Sequence, residues 1–363
     1  MSRESAQRPS DAATGHGAVA TRTITRVPGP LRVVAAIDKV RGTATAAQAA
    51  AAVARGVESL GGRCKALPLA DGGEGLLEVL GGANRATVVT GPLGDDVRAE
   101  WRLSKGTAVI EMARASGLAL VGGAEGNDAI AASTEGTGEL ITAALDAGAT
   151  RIVIGAGGSA TTDGGFGAVR AVAAPNRLRR VQVQVACDVR TRFTDAAAVF
   201  APQKGASPAQ VELLRRRLVR LVQVYRETYG VDVSELPGAG AAGGLAGGLA
   251  ALGAELMSGF DLVAEDVQLP EALEGAHLVV TGEGYLDAQS FEGKVVGGVV
   301  ALAAEHGVPV LVVTGDADPE VVDAHPELSV VSLVARFGDE RARTDTAACI
   351  AEAVATEAAR LRP

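Results

Sequence analysis

Five times along this chain a short β-rich run gives way to a glycine-bearing loop and then to a helix-compatible stretch. The runs are residues 31–37 before Arg41-Gly42-Thr43, 66–70 before Asp71-Gly72-Gly73-Glu74-Gly75, and 151–154 before Gly155-Ala156-Gly157-Gly158-Ser159. The last two are 277–281 before Gly282-Glu283-Gly284 and 308–314 before Gly315-Asp316. Strands that alternate with helices pair in parallel, and such sheets bind ligands at the carboxyl ends of their strands. The pattern therefore predicts an α/β fold with its distinctive loops at the binding edge.

The middle of the chain breaks this rhythm. Residues 86–90 and 99–103 read as strands on either side of Gly91-Pro92-Leu93-Gly94-Asp95-Asp96, and 108–112 follow without a helix between. That predicts a second α/β domain, residues 81–259, inserted into a first one built from 29–80 and 260–363. A length of 363 residues suits two domains. Residues 45–60 read as an Ala-rich helix stopped by Gly61-Gly62, and 208–229 as a helix whose Arg215, Arg216, Arg217 and Arg220 form a solvated face. Residues 1–28 lack the apolar core of a signal peptide and read as a flexible tail.

Charge and cysteine content narrow the partners. The net charge is −9 with no dense basic cluster, which argues against nucleic acid. An anionic ligand must then be held by a few loop cations or by backbone N–H groups. No run reaches membrane-spanning length without charge or glycine breaks. Three widely spaced cysteines, Cys64, Cys187 and Cys349, suit a reducing cytoplasm better than a disulfide framework.

Three glycine loops carry acids: Asp71 and Glu74 in the first, Asp163 in Thr162-Asp163-Gly164-Gly165, and Glu283 with Asp287 just beyond in the third. Glycines allow close backbone approach to a ligand, and carboxylates there can hold a metal ion or accept a proton. Gly155 to Ala160 follows a strand, so its amides and Ser159 form a natural anion cradle. Gly238-Ala239-Gly240-Ala241-Ala242-Gly243 satisfies the dinucleotide pattern but follows Leu236-Pro237 rather than a strand, which removes its meaning. There is no P-loop. Phosphate chemistry would fall to Lys294, Lys204 and Arg41, each in or near a glycine turn. The four histidines stand apart, so acids are left to do proton and metal work, which suffices for phosphoryl transfer.

Six blocks, in order across residues 33 to 361, closely resemble the type-1 glycerate kinase family. They are Ala70 to Gly75, Gly155 to Gly165, Ala186-Cys187-Asp188, Ala198 to Ala206 with Lys204, Pro237 to Gly244, and Thr281-Gly282-Glu283-Gly284 with Leu286-Asp287. The resemblance implies ATP- and Mg2+-dependent phosphorylation of D-glycerate, most often to 2-phosphoglycerate. It also implies a Rossmann-like domain made from both chain ends and an active site in the cleft beside the inserted domain. Asp188 is expected to be the catalytic base or a metal-positioning acid, joined by Asp38, Arg41 and Lys294 in catalysis. Asp71, Gly72, Gly73, Glu74, Gly157, Gly158, Ser159, Asp163, Gly164, Lys204, Glu283 and Asp287 are expected to bind substrate or nucleotide, with Asp188 and Asp163 at the metal. A small hydroxy acid and a nucleotide are the expected partners, and a homodimer is left open.

The chain departs from the family pattern in ways that bear on the acceptor. Arg41 stands where a lysine is usual, Thr162 for asparagine, Tyr285 for arginine, Ala288 for serine and Glu292 for histidine. Losing a guanidinium and gaining a carboxylate lowers the positive charge around an anion site. These changes leave a second reading open: a catalytically weak relative that binds nucleotide or metabolite in a regulatory or interaction role.

Overall fold

A computed structural model describes residues 29–361, so the expected tail at 1–28 lies outside the described residues. The strands in chain order are β1 (Arg32–Ile37), β2 (Arg63–Pro68), β3 (Arg85–Thr90), β4 (Asp96–Ser104), β5 (Thr107–Glu111), β6 (Arg151–Gly155) and β7 (Gln182–Cys187). They continue as β8 (Glu255–Ser258), β9 (Leu278–Thr281), β10 (Tyr285–Leu286), β11 (Val310–Thr314), β12 (Asp316–Ala317) and β13 (Ser329–Ser332). One sheet runs β13-β11-β9-β1-β2 and is parallel throughout. A second large sheet runs β3-β4-β5-β6-β7-β8, antiparallel at β3, β4 and β5 and parallel from β5 to β8, and β10 pairs with β12 in a small parallel sheet of its own. The fold is α/β, with strands from both ends of the described chain in the first sheet and strands from its middle in the second.

β1 shows why its sheet is central. Every residue after Arg32 is buried, as expected of a parallel strand covered on both faces. Val33, Ala35 and Ile37 pack toward the helices Ala46–Glu58 and Thr346–Ala359. The alternate residues Val34 and Ala36 face the other way, into a cluster with Leu67, Leu76, Val109, Val153 and Ala186. That cluster contains residues of β1, β2, β5, β6 and β7, so the two sheets share apolar packing beneath the loops that carry the acids. The helix Ala46–Glu58 starts at Thr45 through a reciprocal cap with Gln48. Its Gly56 lets Thr346–Ala359 approach: a Cβ there would stand 2.5 Å from the Ala351 carbonyl oxygen.

Two secondary expectations also resolve. Pro208–Tyr229 is a helix, and its arginines are occupied locally: Arg215 bonds Glu212, Arg220 bonds Gln223, and Arg217 reaches the Ile130 carbonyl. The segment with the dinucleotide-like pattern packs on the second acidic loop, where Gly164 N donates to Gly243 O at 3.0 Å. Among the described residues no helix is long and apolar enough to cross a membrane.

Candidate active site

Each acid of interest leaves the carboxyl end of a strand. Asp38 directly follows β1, Asp188 directly follows β7, Asp71 lies just past β2 and Glu283 just past β9. The loop from Asp71 to Gly75 is wedged between the sheets. Gly72 has φ +92°, and a Cβ there would fall 2.7 Å from Gly259 Cα and 2.9 Å from Ala186 Cβ, so only glycine fits. Lys39 Nζ donates to the Glu74 carbonyl at 2.6 Å, tying this loop to the end of β1. Glu111 Oε1 accepts from Gly75 N and Leu77 N, both at 2.9 Å, tying it to β5.

Around these acids opens a cleft of about 510 Å³. Asp38, Asp71, Glu283 and Asp287 line it, with Lys39, Arg41 and Lys294 as cations and Tyr285, 52% exposed, also in the lining. No hydrogen bond or ion pair engages the Arg41 or Lys294 side chain among the described residues. Two uncommitted cations are therefore available to an anion.

The crowding of carboxylates shows in their proton affinity. Burial pushes the Asp38 carboxyl up to about 7; Lys39 opposes this, while Asp71 and Glu283 add to it. Burial, then the Asp71 charge, also raises Asp188 above the usual carboxylate range, with Lys294 and Lys39 pulling the other way. Glu283 is raised by burial too, against the Ser290 hydrogen bond and Lys294. Its Oε1 is buried with no hydrogen-bond partner. An orphaned carboxylate oxygen amid mutually repelling acids fits a divalent cation, because Mg2+ takes hard oxygen ligands from one or two carboxylates together with substrate phosphates.

A second cavity of about 390 Å³ is lined by Asp188, Gly157, Gly158, Ser159 and Lys204. The backbone amides of Gly157, Gly158 and Ser159 have no acceptor among the described residues. Gly158 is left-handed at φ +67°, which helps to turn successive amides toward a common point. Lys204 is 3% exposed, and its Nζ donates to Ser159 Oγ at 2.7 Å and Thr161 O at 2.6 Å. Burial lowers its ammonium to about 7 against the pull of Asp163.

Asp163, expected at the metal, has most of its lone pairs engaged. Its Oδ2 accepts from Thr134 N (2.9 Å), Thr134 Oγ1 (2.8 Å) and Gly167 N (3.1 Å), and its Oδ1 accepts from Gly165 N (3.1 Å). With those lone pairs engaged, it fastens the loop at the start of Phe166–Ala171 and is a poor metal ligand. Gly164 fastens the same loop through Gly243 and the Tyr225 hydroxyl. Asp287 lines the cleft but also caps a short turn by accepting from Ser290 N. Glu74 and Gly75 border a neighbouring cavity of about 480 Å³, and Glu292 opens with Asp188 onto one of about 700 Å³. Gly73, paired to Asp71 Oδ1, lies against Gly157.

Two residues escaped the sequence reading. Lys39 was visible beside Asp38 but carried no signal separating it from a surface charge. Glu111 gave none at all, since the amides it holds lie 34 and 36 residues earlier in the chain.

The chain as a whole is similar to known proteins. The profile of the glycerate kinase family matches residues 33–176 and 173–362. The chain is 39% identical to the glycerate 2-kinase of Escherichia coli K12 over 350 residues, covering 85% of this chain and 92% of that protein. It is 38% identical to a glycerate kinase of Halalkalibacterium halodurans over 347 residues, covering 84% and 91%. A crystal structure from Salmonella typhimurium LT2, provisionally named glycerate kinase 2, superposes with a TM-score of 0.78 at 34% identity, covering 92% of this chain and 98% of that one. The chain belongs to the glycerate kinase family and is a kinase.

Proposed function

We propose that the protein transfers the γ-phosphate of ATP to a hydroxyl of D-glycerate, giving 2-phosphoglycerate. One observation carries the reading: Asp188 lines the amide cradle of Gly157 to Ser159 and is electrostatically coupled to Asp71 and Lys294 of the main cleft. On this view the proton acceptor stands between an anion site and a cation-bearing cleft. In this reading residues 29–80 with 260–363 form one domain, 81–259 the other, and the substrates meet between them.

The steps follow from the side chains. The raised Asp188 carboxylate is a stronger base than an exposed one, and Lys294 and Lys39 help to keep it ionised. It accepts the proton of the acceptor hydroxyl as that oxygen attacks phosphorus. The free amides of Gly157, Gly158 and Ser159, with Lys204, hold the phosphoryl oxygens, and Arg41 and Lys294 offset the charge of phosphate and of the acceptor carboxylate. Asp188 and Asp71, beside the unpaired Glu283 oxygen, would hold magnesium, which would supply charge neutralisation at the transferring group. Three cysteines without disulfides suit the reducing cytoplasm where ATP is plentiful.

The test is ATP- and Mg2+-dependent phosphorylation across a panel of small hydroxy acids, with the product position read by phosphorus NMR. D-Glycerate is expected to give the highest kcat/KM and the 2-phosphate. Nucleotide binding without turnover of any acceptor overturns the reading.

A further inference from the structure

Lys204, Ser159 and Thr161 form a line of contacts that phosphate binding alone does not require. Lys204 Nζ has two protein partners, Ser159 Oγ and Thr161 O, and borders the cavity. Because a hydroxyl can donate as well as accept, a neutral amine here can donate one N–H to Thr161 O and accept the Ser159 hydroxyl proton on its lone pair, with its second N–H left over. A nucleophile, a base within hydrogen-bond reach and a third group that orients the base is the arrangement of an activated serine. The free amides of Gly157, Gly158 and Ser159 border the same cavity, where an oxyanion would develop. Apolar Leu118, Ala156, Phe200 and Ala242 form other walls. Ala242 is held at φ +52°, a strained backbone of the kind that gathers at functional sites.

We propose that Ser159 is a nucleophile activated by Lys204 and that the pair hydrolyses small activated acyl esters in this cavity, an activity separate from phosphoryl transfer. Ser159 Oγ attacks the acyl carbon, its proton passes to Lys204 Nζ, and the C–O bond to the leaving alcohol breaks as the acyl-serine forms. The proton on Lys204 goes to the leaving oxygen. Water then attacks the acyl-serine with Lys204 again taking the proton, which returns to Ser159 as the carboxylic acid departs. Ester and water become acid and alcohol, with no other reactant. Burial favours the neutral amine from about pH 7 upward; Asp163 opposes it, and Asp188 is the other charged group of the cavity.

The full-length protein, without ATP or hydroxy acid, is mixed with p-nitrophenyl acetate. The expected result is a burst approaching one p-nitrophenolate per chain, a rate that rises through pH 7, and an acetyl group on Ser159 by peptide mass spectrometry. Ser159→Ala is expected to abolish the burst, and ATP or inorganic phosphate to suppress it. Arg41→Ala, at a residue that borders the main cleft and not this cavity, is expected to keep the burst while weakening the kinase reaction, which separates this proposal from the phosphoryl-transfer reading. A burst retained in Ser159→Ala, or acetyl found only elsewhere on the wild-type chain, overturns it. So does the absence of any burst from protein with wild-type circular dichroism.

Discussion

Glu111 Oε1 holds the amides of Gly75 and Leu77 at 2.9 Å each, so a carboxylate at the end of β5 fixes the loop that presents Asp71 from the other sheet. Its Oε2 accepts from Arg114 Nε at 3.1 Å, and the residue is 2% exposed. Replacing Glu111 with Ala leaves the buried Leu77 amide and the partly buried Gly75 amide without their acceptor, while Arg114, half exposed, keeps Glu100. Because charge-assisted bonds to buried donors are the costly ones to lose, the expected destabilisation is on the order of 3 kcal/mol. Urea unfolding measures it, and Glu111→Gln, which keeps one acceptor, should recover a large part. A loss below about 0.5 kcal/mol would mean that the contact does not fix the loop.

Asp188→Asn keeps the shape of the side chain and removes the base. The expected fall in kcat is on the order of 10²–10⁴, the usual contribution of a positioned general base. ATP affinity, read by calorimetry, should change by only a few fold. An unchanged kcat removes Asp188 from its role.

Asp163→Asn separates holding a metal from holding a loop. The carboxylate accepts bonds from Thr134, Gly165 and Gly167, so its replacement should lower the melting temperature and leave the Mg2+ concentration for half-maximal activity near the wild-type value. For Asp188→Asn the Mg2+ midpoint should rise. If Asp163→Asn moved that midpoint and not the stability, Asp163 would be a metal ligand and not a loop fastener.

Asp38 sets function against stability. Its carboxyl is raised from 3.8 to about 7, so between those values the folded chain binds a proton that the unfolded chain does not. Stability therefore falls as pH rises through this window and levels off above it. Relative to Asp38→Asn, the wild type should lose about 2–3 kcal/mol between pH 5 and pH 8, at about 1.4 kcal/mol per unit. Chemical denaturation at several pH values tests the slope; parallel curves for the two proteins would refute it. The same variant should have a lower kcat.

Arg41 and Lys294 line the cleft without ion-pair partners, so replacing either with Ala should weaken anion binding and leave the fold intact. A rise in KM of roughly tenfold, equivalent to about 1.4 kcal/mol, is expected for ATP or the hydroxy acid. Initial rates with each substrate varied in turn show which anion each cation serves. No change in either KM for either variant would discard the assignment.

The architecture was largely legible because it rests on local patterns. Apolar runs ending in glycine turns located β1, β6, β9 and β11 to within two residues at either end, and the capping pair Thr45 and Gln48 lies next to the helix it starts. Asp38, Asp71, Glu283 and Arg41 could be picked out for the same reason: each stands in or beside a glycine loop. Asp163 could be read as a metal ligand because a carboxylate in a glycine loop looks the same in sequence whether its lone pairs are free or taken by amides. Glu111 was invisible because its charge acts on amides of another sheet.

By itself the sequence determined the alternation of strands and helices, the glycine loops at the strand ends and membership of the family's block pattern, since each is written in neighbouring residues. Tertiary structure decided which acids share a field, which cations stay free, and that Lys204 is buried against Ser159. Burial and hydrogen-bond satisfaction depend on what packs against a side chain in three dimensions, and those neighbours come from distant parts of the chain.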